Sequence, residues 1–127
     1  PHISFENYFG GGRMKYIIQN PITGKKVFAG ELIEDTFYKR VKTNQKLRIL
    51  DSYGIEASVI EDLKRRGCKK IVLIEDGKKE YSVSFNTFYT KAIRETFGKS
   101  SYQFYLPMKY WEKANEEQQG VQLVINL

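Results

Sequence analysis

Clustered cations with aromatic rings beside them are the residues of this chain best suited to chemistry. Within residues 37–70, Lys39, Arg40, Lys42, Lys46, Arg48, Lys64, Arg65, Arg66, Lys69 and Lys70 face only Asp51, Glu56, Glu61 and Asp62. The segments on either side are balanced in charge, so the whole formal excess of +6 falls in this block. Phosphate binding needs little more than cations gathered on one face. Phe37 and Tyr38 stand next to the first of them, and a base stacks readily on an exposed ring. The pattern points to a basic, nucleic-acid-associated domain that holds the phosphate backbone without catalysis. Lys39, Arg40, Lys42, Lys46 and Arg48 form the first contact set. Lys64, Arg65, Arg66, Lys69 and Lys70 extend it if the end of a helix lies beside that strand. The pattern does not separate DNA from RNA. Each part also has a plain structural reading, since charge runs are commonly solvated faces. Lys64-Arg65-Arg66 suit a helix C-terminus whatever they bind.

Catalytic patterns are weaker. The single histidine, His2, lies near the start of the chain, which gives a Ser-His-Asp or Cys-His mechanism little support. Gly10-Gly11-Gly12 lacks the strand–helix setting of a phosphate-cradling loop, and no motif calls for a cofactor. Cys68 sits between Gly67 and a basic pair. Nearby cations lower a thiol pKa, but a lone cysteine at a strand start is more often a small buried hydrophobe. Asp76-Gly77-Lys78, with Glu75 adjacent and Asp51 or Asp62 upstream, has the acid-and-lysine spacing with which nucleases hold Mg²⁺. The same Asp76-Gly77 is also the preferred pair of a tight hairpin turn. A Mg²⁺-dependent nuclease therefore ranks behind non-enzymatic binding. The first alternative, ahead of the nuclease, is a protein-interaction or homo-oligomerisation module. It would use Phe104, Tyr105, Tyr110 and Trp111, or the β-rich end at residues 121–127. Eighteen aromatics are more than one small core easily hides, so some should reach the surface.

The elements that must position these residues fit one domain of 127 residues. At 41% hydrophobic and 28% charged, the composition is that of a globular chain and excludes disorder. One cysteine excludes an internal disulfide framework and fits a reducing, cytoplasmic compartment. No apolar run approaches the ~18 residues of a membrane span.

Residues 1–13, which end in the triple glycine and an arginine, read as a leader or appended segment, with 14–127 as the domain. Residues 15–19 and 26–30 form a hairpin around Asn20-Pro21-Ile22-Thr23-Gly24. An acidic loop or short helical turn covers 31–36, and a third strand covers 36–41. Leu47–Asp51 is a strand or the approach to a helix. Ile55, Val59, Ile60 and Leu63 mark one face of a helix over 55–66, closed by Gly67. The unalternating Ile71–Ile74 predicts a central strand buried on both faces. A two-residue turn leads to an alternating strand over 80–85. Asn86 caps a second helix with Phe88, Ala92 and Ile93 inward, ending at Gly98. Residues 102–106 form a further strand, and 114–120 read as a polar linker. The order β-β-(β)-α-β-β-α-β-β is an α+β fold with a mainly antiparallel sheet.

Overall fold

The computed structural model describes residues 3–8, 12–20, 23–41, 54–75, 79–97 and 101–113. It is an α+β fold with a mainly antiparallel sheet, in nearly the element order read from the sequence. The chain begins with strands β1 (Ile3–Tyr8), β2 (Arg13–Gln19), β3 (Lys26–Ile33) and β4 (Thr36–Val41). A two-residue strand β5 (Ile55–Glu56) leads directly into helix α1 (Ala57–Arg65). Strands β6 (Lys70–Glu75) and β7 (Lys79–Ser84) follow, then helix α2 (Phe85–Lys91) and strands β8 (Ile93–Phe97) and β9 (Ser101–Tyr105). A 3-10 turn (Met108–Tyr110) precedes the short edge strand β10 (Glu112–Lys113).

The larger sheet has the order β1-β2-β3-β4-β6-β7-β10, and a smaller one has the order β5-β9-β8. Among the described strands only β4 and β6 pair in parallel, joined by a connection that includes α1. One core fills the space between the inner face of the larger sheet and the two helices. Met14, Tyr16 and Ile18 of β2, Phe37 and Val41 of β4, and Ile71 and Leu73 of β6 meet Val59, Ile60 and Leu63 of α1 there. Phe85 and Phe88 of α2 join them, with the Trp111 ring edge-on to Phe88. The apolar face expected of α1 is thus the face it buries, and Lys64 and Arg65 close it at its C-terminus. Val72 of β6 is buried as well, on the opposite sheet face, which accounts for the lack of alternation in Ile71–Leu73.

Several local expectations are corrected. Residues 31–33 continue β3, and the turn narrows to Glu34-Asp35, with Glu34 in the left-handed region at φ 56°. The β6–β7 register pairs Glu75 with Lys79, leaving three residues rather than two in the connection. Helix α2 is capped by Ser84, whose hydroxyl accepts from the Thr87 amide, and not by Asn86. It ends at Lys91, and residues 93–97 turn into β8, hairpinned onto β9. Ile93 is consequently half exposed rather than inward. The β-branched Ile93 and Thr96 and the cross-strand partners of β9 favour extension over a third helical turn. The backbone of Ile3–Tyr8 pairs antiparallel with β2 along six consecutive positions.

Candidate functional site

The expected cation block resolves into separate places. Lys42, Lys46 and Arg48 lie outside the described residues, as do Asp76, the chain beyond Lys113 and with it the 121–127 edge. Lys39 and Arg40 occupy opposite faces of β4. Alternation puts Lys39 with buried Phe37 and Val41, and Arg40 with Thr36 and Tyr38 on the outer face. Phe37 is fully buried, its ring 5.7 Å from Tyr16 and edge-on. It therefore offers no surface to a base, and of the two expected stacking residues only half-buried Tyr38 faces outward.

Lys64, Arg65, Arg66, Lys69 and Lys70 remain together, all exposed, around the turn from α1 into β6. Tight backbone bonds make that turn: Gly67 N–H donates to Lys64 O, and Cys68 N–H to Leu63 O. Gly67 takes a φ of +79° there, which a side chain would resist. Lys64 donates to the Tyr89 hydroxyl at 3.1 Å, with its ammonium 4.4 Å from the centre of that ring. Arg65 and Arg66 both pair with Asp62 on the same helix. Asp62 is itself buried and also accepts from the Tyr16 hydroxyl at 2.6 Å. Burial pushes its carboxyl upward, but the Tyr16 and Arg66 hydrogen bonds and the two guanidinium charges outweigh that and hold it below the usual range. Tyr16 is driven the other way, first by burial and then by its bond to Asp62.

Lys69 and Lys70 line a cleft of about 590 Å³ at the end of the sheet where β4 and β6 begin and β7 finishes. Thr36, Ser82, Ser84 and Thr87 add hydroxyls, Tyr110 adds a ring, and Asp35 and Glu112 add carboxylates. The Asp35 carbonyl anchors the approach by accepting from both Lys69 and Lys70 amides. Inside the cleft the charges balance; the cationic excess lies outside it, on residues 64–66. No family model, curated protein or solved structure matches this chain. What the region does must therefore be read from its own chemistry.

Cys68 is buried, donates to Lys70 O, and has its thiol pushed up chiefly by burial, which leaves it an inert part of the core. Trp111 is likewise interior, its indole N–H donating to Leu106 O at 3.0 Å, so it is not a surface anchor. Among the described residues, no three Asp, Glu, Cys or His side chains gather closely enough to hold a metal ion. No helix of the described residues is long and apolar enough to cross a membrane.

A second cavity, of about 220 Å³, lies between the two sheets. Lys39, Glu56, Gln103 and Asn20 provide its polar lining. Burial lowers the Lys39 amine to about 8 and raises the Glu56 carboxyl. Glu56 and Gln103 escaped the sequence reading. Strand β5 is too short to show a period, and a glutamate before a helix ordinarily reads as a solvated first-turn acid.

Proposed function

We propose that this domain binds the phosphate backbone of a nucleic acid at the turn from α1 to β6 and the adjoining cleft. The observation that carries this reading is the placement of five exposed cations within residues 64–70, two of which line a hydroxyl-bearing cleft. Lysine ammoniums neutralise phosphate as point charges, and serine and threonine hydroxyls supply donors to phosphate oxygens. Tyr38 and Arg40 share the outer sheet face with Lys70, so a strand leaving the cleft across β6 and β4 would meet a ring and then another cation. Asp35 and Glu112 also line the cleft and repel phosphate there.

Fluorescence anisotropy with labelled single- and double-stranded DNA and RNA across a salt series tests it. The protein should bind with an affinity that falls steeply with salt. The Lys69→Ala/Lys70→Ala variant should lose about 1.4 units of the single-strand log–log salt slope. Flat, millimolar binding to all four probes would overturn the reading.

A further inference from the structure

The cavity between the sheets poses a problem that the phosphate-binding surface does not solve. Glu56 and Gln103 are Cα partners on adjacent strands, β5 and β9, and their side chains line the cavity together. Glu56 is 6% exposed and Gln103 3% exposed. Glu56 Oε1 accepts from Ser58 at 3.0 Å, yet among the described residues Glu56 Oε2 and Gln103 Nε2 have no hydrogen-bond partner. Leaving one acceptor and one donor bare in an interior is costly, and native structures do so rarely. Across the same cavity stands Lys39, on the core face of β4 opposite Leu73, with no carboxylate within ion-pair distance among the described residues. A half-buried cation, a buried carboxylate and a buried amide thus face one space. Ile18, Val27, Phe28 and Ile55 form the apolar part of its wall.

We propose that this cavity is a binding site for a small apolar α-amino acid. The ammonium of the ligand would donate to Glu56 Oε2. Its carboxylate would accept from Gln103 Nε2 and Lys39 Nζ. Its hydrocarbon side chain would lie against Ile18, Val27, Phe28 and Ile55. Each orphaned atom gains a partner of the right polarity, and the ligand's two opposite charges offset those of Lys39 and Glu56. Size agrees, since a cavity of about 220 Å³ holds a leucine-sized molecule. The depressed amine of Lys39 and the raised carboxyl of Glu56, each moved first by burial, fit a site whose two ionisable groups are poorly solvated.

The test is titration of the full chain with L-leucine by calorimetry and by thermal shift, at neutral pH. Comparison ligands are leucinamide, which lacks the carboxylate, and 4-methylpentanoate, which lacks the amine. Leucine should bind and raise the melting temperature, and each comparison ligand should bind at least about tenfold more weakly, the ordinary loss for one charge-assisted hydrogen bond. Lys39→Met should abolish the preference for leucine over leucinamide while leaving a folded protein by circular dichroism. Glu56→Gln should abolish the preference over 4-methylpentanoate. These ligand comparisons on the unaltered protein stand even if a variant fails to fold. No binding of leucine, valine or phenylalanine at about 10 mM would overturn the proposal, as that excludes even weak specific recognition. A high-resolution crystal structure with Gln103 Nε2 bonded directly to Glu56 Oε2 would overturn it too. Loss of nucleic-acid binding in the lysine variant of the cleft has no bearing on this outcome, because the two sites share no residue.

Discussion

Gly30 shows how much one position in this chain can decide. It lies opposite Tyr16 where the β2–β3 register shifts, at a φ of +152°. A Cβ there would sit 2.8 Å from Tyr38 O and within the edge of the Phe37 ring. The edge-on Tyr16–Phe37 pair at the centre of the core exists because glycine leaves it room. Gly30→Ala should destabilise by about 3 kcal/mol, combining overpacking with backbone strain, and urea unfolding reads it directly. Asp62 is decisive in another way. Its carboxylate joins β2 to α1 through Tyr16 and holds both Arg65 and Arg66. A carboxyl held below its unfolded value contributes stability above that value and loses it as pH falls through the folded one. Unfolding midpoints should therefore drop on acidification below about pH 4, and Asp62→Asn should flatten that part of the profile. At neutral pH the same variant should cost about 2 kcal/mol, because the buried Tyr16 hydroxyl and two guanidinium groups lose a charged partner. An unchanged acid limb would assign the acid sensitivity to other carboxylates.

At the scale of elements, patterns that local physics alone enforces were legible, and those set by partners were not. The face of α1 could be read from Val59, Ile60 and Leu63, but Ile55, expected on the same helix, lies on β5 opposite Phe104, so the helix starts two residues later than its spacing predicts. Strand β6 could be read from its apolar run, and β4 was expected at the bounds it has, Thr36–Val41. Residues 93–97 could not be read, because Phe88, Ala92 and Ile93 fit a helical stripe as well as they fit a helix followed by a strand. The pairing with Ser101–Tyr105 decided between them, and no single-segment pattern contains that information. The cap moved for a similar reason: Ser84 and Asn86 are both good caps, and the end of β7 fixes where the chain must turn. Ser84→Ala should then cost about 1 kcal/mol in urea unfolding, while Asn86→Ala, exposed and without a capping bond, should change little. The reverse order of costs would put the helix start two residues later.

Over the whole molecule, charge order in the sequence translated only partly into charge order in space. The contiguous run 64–70 stayed together because a tight turn holds it, and its cations were legible as a group. Lys39 and Arg40, neighbours in sequence, were separated by the two-residue period of a strand, which sends adjacent side chains to opposite faces. Phe37 was lost to the core by the same alternation. The pairing of Glu56 with Gln103 was beyond reach, since it depends on a contact between segments 47 residues apart in sequence (103 minus 56). The place of Lys39 on the core face of β4 has a consequence for the stability of the entire fold. Its amine titrates near 8 in the folded chain against 10.5 when unperturbed. Between those values the unfolded chain binds more protons than the folded one, so stability rises with pH there, and below about 8 the folded state carries the full penalty of an ammonium in poor solvent. Lys39→Met retains the aliphatic stem and removes the charge. It should be more stable than the parent at pH 7 by up to about 3 kcal/mol, and the difference should shrink to nothing by about pH 10.5. Chemical denaturation of both proteins at pH 7, 9 and 10.5 measures the two limbs. Equal stability at pH 7 would mean that the Lys39 ammonium reaches water, and the cavity between the sheets would then have no buried cation to offer a carboxylate.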